Sequence, residues 1–371
     1  MKRVIISVTN DLATDQRVDR VCNTLVKMGF DVLLVGRKRK QSLPLKLRQY
    51  AMKRMRLLFS KGPCFYAEYN IRLFFFLLFH KAGLLVSNDL DTLLANYLAS
   101  RILRLPLVHD CHEYFRGVPE LNGRMGTIRA WKTIEDHIFP KLRSVYAVNA
   151  SIAEIYHKEY GNDVHVIRNV PVRKMNIPAK NKSDLAIPAD SRVILYQGAV
   201  NVDRGLEEAI RAMKFVKEKA CLLIIGTGDV SDQLKRLAIE EGVSGKVIFT
   251  GPVPLEDLYE YTLMADIGLS IEKDVSLNYH FCLPNKFLDY IQAGVPVLVS
   301  PLPEMKAIVE KYGIGEMIGS HDPQYLASEF DNLLSQDKKL SFFRENLQKA
   351  ASDLCWENEE QELMNIYQPY V

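Results

Sequence analysis

Two short stretches carry side chains whose types and spacing suit phosphate chemistry. QGAVNVDRGLEEAI, Gln197 to Ile210, sets Gly198 directly after an apolar run and Arg204 directly before a helical pattern. LPNKFLDYIQAG, Leu283 to Gly294, crowds Pro284, Asn285, Lys286 and Asp289 onto the front of another helix. Exposed N–H groups at a helix start carry partial positive charge, and a guanidinium or ammonium beside them makes an anion clamp. Asp289 follows Lys286 by three residues and shares its helix face. Cations for phosphate and a carboxylate for ribose hydroxyls together suit a nucleoside diphosphate. The plainer alternatives are a solvated Arg204 and a surface Lys286–Asp289 pair worth about 0.2–0.5 kcal/mol.

Other loops narrow the chemistry by what they lack. LLIIGTGD supplies Gly226 and Gly228 after a strand but no third glycine of a dinucleotide fingerprint. TNDLATDQRVDR, after the first strand, offers Asn10, Asp11, Asp15 and Arg17 with no glycine-rich turn, and Thr14 is the expected N-cap. No GxxxxGK[ST] loop occurs. LVHDCHEYF ends a strand with His109, Asp110, His112 and Glu113. That cluster has neither the helical i, i+4 histidine pair nor the CxxC partner of a zinc site, so no metal is expected.

The elements that position these loops alternate. Apolar runs at Val4–Val8, Asp31–Val35, Gly83–Ser87, Leu105–His109, Ser144–Val148 and Val164–Ile167 are separated mostly by helical patterns. A second alternation runs from Arg192–Gln197 through Ala220–Ile225, Lys246–Thr250 and Asp266–Ser270 to Val295–Val299. Alternating strands and helices predict parallel sheets covered on both faces. The chain of 371 residues therefore reads as two doubly wound, Rossmann-like α/β domains facing across a cleft, over 1–170 and 192–355. Residues 171–191, rich in Pro, Lys and Asp, form the expected linker, and a helix over about 356–371 is expected to pack back on the first domain.

Composition sets the remaining bounds. A formal charge of +3 argues against a duplex nucleic-acid binder. Six scattered cysteines without a CxxC pair fit a reducing cytoplasm. The start MKRVIISVTN reads directly into a strand, and no apolar window is long enough to span a membrane.

The stretches QGAVNVDRGLEEAI, LLIIGTGD, VIFTGPVPLEDLYEYTLMADIGLS and LPNKFLDYIQAGVPVLVS, in that order, resemble the retaining GT-B glycosyltransferases of family 4. TDQRVDRVCNTLVKMGFDV, VSNDLDTLLANYLAS, DCHEYF and VYAVNASIAEIYHKEYG add a looser match, so the resemblance covers nearly the whole chain. It implies that Arg204 binds the donor diphosphate with Lys286 assisting. Asp289 falls where the second glutamate of the E-x7-E motif contacts ribose. Gly226 and Gly228 would line the nucleotide pocket, joined by Gly198 and Asn285, with Val253 beside the base. His112 matches the histidine expected near the transferred sugar, and Asn10, Asp11, Asp15, Arg17, Asp110 and Glu113 would border the acceptor side. The partners implied are a nucleotide-sugar donor and a glycan or lipid-linked acceptor, with no metal or other cofactor. Two departures stand out: Phe281 occupies the first glutamate position, and the glycine pair after the first strand is missing. A sugar-nucleotide epimerase or phosphorylase of the same fold, or a non-catalytic scaffold, are the competing readings.

Residues 37–61 hold ten Lys or Arg and no acid, including Arg37, Lys38, Arg39, Lys40, Arg48, Lys53, Arg54 and Arg56. A basic amphipathic segment of this kind can lie on anionic lipid. The neighbouring run IRLFFFLLF, Ile71 to Phe79, is expected to be a core helix because a strand follows it.

Overall fold

The computed structural model describes every residue except Thr14, Gln41, Pro119, Glu120, Asn122, Met175 and Asn176. The chain divides into two compact units. The first comprises Met1–Asn169, Ser276–Asn278 and Asn358–Val371; the second comprises Val170–Val275 and Tyr279–Glu357.

The first unit holds a seven-stranded parallel sheet. Its strands are β1 (Arg3–Ser7), β2 (Asp31–Lys38), β3 (Ala51–Arg56), β4 (Leu84–Asn88), β5 (Leu107–Cys111), β6 (Ser144–Ala147) and β7 (Val164–Val166). The order β3-β2-β1-β4-β5-β6-β7 reverses direction between β1 and β4. There Ile5 pairs with Leu33 on one side and Leu85 on the other, and β4 and β5 are buried at every residue. Helices α1 (Gln16–Lys27), α2 (Gly62–Phe79), α3 (Leu90–Leu103), α4 (Met125–Ile138) and α5 (Ala150–Tyr160) cover the sheet. The N-cap of α1 is Asp15, whose carboxylate accepts from Val18 N at 3.1 Å; the cap expected at Thr14 lies outside the described residues. A carboxylate suits that place because it also meets the positive end of the helix dipole.

The second unit holds six parallel strands: β8 (Arg192–Gln197), β9 (Ala220–Ile225), β10 (Val247–Gly251), β11 (Ile267–Ser270), β12 (Val297–Val299) and β13 (Gly315–Met317). Their order, β10-β9-β8-β11-β12-β13, reverses between β8 and β11. Helices α6 (Leu206–Ala212), α7 (Ser231–Glu240), α8 (Leu255–Thr262), α9 (Leu277–His280, whose first two residues belong to the first unit), α10 (Asn285–Gln292), α11 (Pro303–Tyr312), α12 (Pro323–Leu334) and α13 (Asp337–Asp353) follow in chain order. Pro284 precedes α10 and Gly294, at φ +68°, stops it, so its ends fall where the sequence puts them. Helix α14 (Trp356–Tyr367) begins in the second unit, but from Asn358 onward the chain packs in the first. There Glu359 accepts from Arg168 Nε at 2.7 Å and Tyr367 meets Tyr146.

Two sequence expectations change here. The basic segment begins at the end of β2 and includes the edge strand β3, whose three cationic positions hid its strand character. Helix α2 is core on one face only. Phe65, Tyr69, Leu73 and Leu77 are buried at four-residue spacing, whereas Ile71, Phe75 and Phe79 face outward.

Candidate functional site

In open parallel sheets, ligands meet the carboxyl ends of strands where the order reverses. Each unit brings its charged residues to such a point.

In the second unit, β8 ends at Gln197 and β11 at Ser270, beyond which the chain continues through Ile271 to Glu272. Glu272 is completely buried, and its carboxylate is ion-paired with Lys286 Nζ. Arg204 Nη1 lies 3.5 Å from the same oxygen, and Ser270 Oγ donates to the other at 2.8 Å. Lys286 is itself only 7 % exposed and sits over the Tyr196 ring, while the Arg204 guanidinium covers Tyr279. Burial works against every charge in this triad. The two cations overcome it at Glu272, holding its carboxyl below the usual range, and Glu272 in turn raises Lys286 and Arg204. Three charged groups thus carry a net +1. The Arg204 Nε–H is buried and makes no hydrogen bond among the described residues. A buried donor left over beside net positive charge is suited to an oxygen of an anion.

The surrounding backbone explains the glycines. Gly226, at φ +133°, passes so close to Gly198 that an added Cβ would stand 1.9 Å from the Gly198 carbonyl oxygen. At Gly228 a Cβ would meet Val200 O and Asn201 Oδ1 at 2.3 Å. These residues let the loops after β8 and β9 touch, and a Cβ on Gly198 would come within 3.6 Å of Lys286 Cε. Asp289 accepts from Gln197 Nε2 at 3.1 Å, and Gln197 Oε1 accepts from Thr262 Oγ1 at 2.8 Å. Lys286 therefore pairs with Glu272 and Asp289 is tied to the end of β8. Asn285 is exposed at the first position of α10, and Val253 packs half-buried on the core.

In the first unit, Arg17 grips Asp110 with Nη2 at 2.7 Å and Nε at 3.3 Å, and gives Nη1 to Ile167 O at 2.7 Å. His112 Nε2 lies 2.9 Å from Asp110 Oδ2, while its Nδ1 is 3.7 Å from Asp89. Asp89 adopts φ +56°, an uncommon backbone for a residue other than glycine, and its Oδ1 accepts from His112 N at 2.7 Å. Burial opposes charge on His112, but the Asp110 and Asp89 carboxylates outweigh it and push its pKa up to about 9. His112 is thus a cation at neutral pH. His109, buried three residues earlier within β5 with Nδ1 2.8 Å from Ser87 Oγ, is held neutral by burial. Burial likewise pushes Asp91 up to about 7, beside Thr9 Oγ1. The structure thus gathers Arg17, Asp110 and His112. It places Asp11 on Arg54, Asn10 3.3 Å from Asp15, and Glu113 3.0 Å from Asn278.

Glu272, Asp89 and Asp91 are the charged residues that sequence reading passed over. Each follows a fully buried strand, which is the signal that could have marked it. Of the basic segment, Arg37 stacks on Phe65, Arg48 pairs with Asp19 and Arg54 with Asp11; Lys38, Arg39, Lys40, Lys53 and Arg56 are exposed. Among the described residues, no group of three or more His, Cys, Asp or Glu side chains is arranged to hold a metal ion, and no helix is long and apolar enough to cross a membrane.

Residues 178–350 match the family model described as Glycosyl transferases group 1, and residues 15–170 match that described as Glycosyltransferase Family 4. The uncharacterised glycosyltransferase MJ1607 of Methanocaldococcus jannaschii is 27 % identical over 191 residues, covering 50 % of this chain and 47 % of its own. The chain thus spans about half the length of that curated relative. The fold is that of sucrose-phosphate synthase from Thermosynechococcus elongatus, with a TM-score of 0.81 at 17 % identity over 100 % of this chain and 99 % of the other. It is also that of Anabaena HepE in complex with UDP-glucose, with a TM-score of 0.76 at 14 % identity over the full length of both. The two parallel-sheet α/β domains of this chain are those of the GT-B fold, which sucrose-phosphate synthase shares.

Proposed function

By these two matched segments the chain is a member of the group 1 glycosyltransferases, and from that premise we propose that it moves a hexosyl group from a nucleotide-sugar to an acceptor hydroxyl with retained anomeric configuration. The observation that carries the proposal is the Arg204–Glu272–Lys286 triad at the β8/β11 reversal, with net positive charge and an unused buried N–H. The barrier to such a transfer lies in the charge that builds on the departing diphosphate. Preorganised cations stabilise that charge without reorganising during the reaction. Arg204 takes the diphosphate directly, Lys286 adds charge from below, and the N-terminus of α10 contributes its N–H groups.

Glu272 has its oxygens taken by Lys286, Arg204 and Ser270, so it serves as counter-ion and not as nucleophile. The leaving diphosphate oxygen then accepts the proton of the acceptor hydroxyl as the new C–O bond forms and the sugar–phosphate bond breaks. Asp289, with one oxygen on Gln197, is assigned to ribose hydroxyls. His112, held protonated, is a source of positive charge and a hydrogen-bond donor to sugar or phosphate oxygens; it cannot act as a base at neutral pH. Protein cations do the charge-neutralising work without a metal. Assembly of surface polysaccharide or lipid-linked glycan is the setting we assign.

UDP-glucose is the first donor to test, because HepE was crystallised with it. Release of UDP only when an acceptor glycan or lipid-linked sugar is added supports transfer. Epimerisation or phosphorolysis of the donor without acceptor would sink the transferase reading in favour of another activity of the fold.

A further inference from the structure

From Leu73 to Phe79 helix α2 is apolar all the way round, yet only one side of it is buried. Ile71, Phe75 and Phe79 follow one another at four-residue spacing and are 59 %, 53 % and 81 % exposed. On α3, which packs beside α2, Leu98 and Ile102 repeat the pattern. A surface helix of a water-facing domain normally puts polar residues on its outer side. These five side chains form a stripe that water alone does not explain.

The stripe borders uncompensated positive charge. Beyond α3, a cavity of about 680 Å³ is lined by Arg101, Arg104, Lys141 and Arg143 with no acidic side chain. None of the four makes an ion pair among the described residues, although Arg17, Arg48, Arg54, Arg116, Arg168 and Arg192 all do. On the other flank, a second cavity of about 630 Å³ runs between β3 and α2, with Lys53 and Arg56, unpaired among the described residues, near Phe75 and Phe79, while Arg72 there is ion-paired with Glu68 at 2.8 Å. From Ile71 to Leu107 the only acids are Asp89 and Asp91, both at the opposite end of α3. Because α2 and α3 each run into the start of the next strand, Phe79 and Arg104 share the amino-terminal edge of the sheet. The Asp110–His112 cluster lies at the carboxyl edge.

We propose that this α2–α3 face docks on an anionic phospholipid bilayer, with the Phe75/Phe79 stripe entering the acyl boundary and the Arg101/Arg143 cavity taking lipid phosphates. Apolar insertion and a basic patch together give stable, reversible attachment where either alone is weak. A second copy of the same face is disfavoured, since it would set four cations against four cations. The Arg101/Arg143 cavity is distinct from Lys38–Lys40, which lie at and just beyond the carboxyl end of β2.

The test is flotation of the full chain with vesicles of phosphatidylcholine alone or with 30 % phosphatidylglycerol (about a third of the lipid, enough for a strong surface potential). The wild type floats with the anionic vesicles at low salt, and the attachment weakens as salt rises. Arg101→Gln/Arg143→Gln lowers the partition coefficient about 30-fold, the equivalent of about 1 kcal/mol for each basic residue lost. Phe75→Ser/Phe79→Ser lowers it at every salt concentration, while Lys38→Gln/Lys40→Gln leaves it unchanged. Failure of the wild type to float with anionic vesicles overturns the proposal. So does flotation that neither surface variant changes, or a dimer in solution that Phe75→Ser/Phe79→Ser splits while vesicles have no effect.

Discussion

Replacing Lys286 by alanine should do more than remove a phosphate contact. It leaves the fully buried Glu272 carboxylate with Ser270 and a guanidinium 3.5 Å away. Breaking a buried pair by removing one partner typically costs about 3–5 kcal/mol. Here Arg204 remains, and at 3.5 Å an effective dielectric near 20 gives it an attraction of roughly 5 kcal/mol before desolvation. Arg204 is 21 % exposed and on a loop, so it can close on the carboxylate and recover part of the loss. The expected destabilisation therefore sits at the lower end, about 3 kcal/mol, or about 6–12 °C in the melting of a domain of this size. The double variant Glu272→Gln/Lys286→Met removes both charges and should regain most of that stability while still failing to bind diphosphate. Differential scanning calorimetry of the single and double variants measures both numbers. A Lys286→Ala protein that melts within 2 °C of wild type, or a double variant no more stable than the single, would refute the buried triad.

Three further outcomes follow from the geometry. Since the folded pKa of His112 is raised from 6.5 to about 9, the stability it lends is complete below pH 6.5 and is lost as pH rises through 9. The loss is at most about 3 kcal/mol at 1.36 kcal/mol per unit, and His112→Gln should flatten that alkaline limb in urea titrations. Glu272, whose carboxyl is lowered from 4.5, acts in the opposite sense. Its contribution is present above pH 4.5 and disappears as pH falls below, so the acid limb of wild type should be steeper than that of Glu272→Gln/Lys286→Met. Gly226→Ala forces a Cβ to 1.9 Å from a carbonyl oxygen at φ +133° and should cost roughly 3 kcal/mol or more, whereas Gly123→Ala, at φ +76° in open space, should cost about 1. Thermal melts of both variants compare the two.

Local rules made much of this legible before any coordinates. Pro284 and Gly294 punctuate α10, and short apolar runs such as LLV and ACLLII between helical patterns read as strands buried on both faces. That the Arg204 and His112 loops leave the carboxyl ends of strands follows from strand–helix alternation, whereas the strand order that reverses in each sheet does not. What escaped depended on tertiary context. Strand β3 reads as a basic loop because an edge strand needs only one buried side chain in its row, here Met55. The outward half of the Phe run could not be told from core, since burial depends on whether anything covers it. Glu272 was invisible as a site residue because its partner, Lys286, lies fourteen residues away and meets it only when β11 and α10 pack. That pairing also revises the helix-front reading of Lys286: its ammonium lies under the site, bound to a carboxylate, and Arg204 is the more accessible cation.

The most direct measurement is calorimetric titration of the full chain with UDP-glucose, UDP, GDP, ADP and dTDP, repeated on Arg204→Gln. The account requires that at least one nucleotide bind to wild type. It also requires that Arg204→Gln, melting at the wild-type temperature, lose at least about tenfold in affinity, the loss expected for one charge-assisted hydrogen bond of about 1.5–3 kcal/mol. Unchanged affinity in Arg204→Gln, or no binding of any of the five, contradicts it.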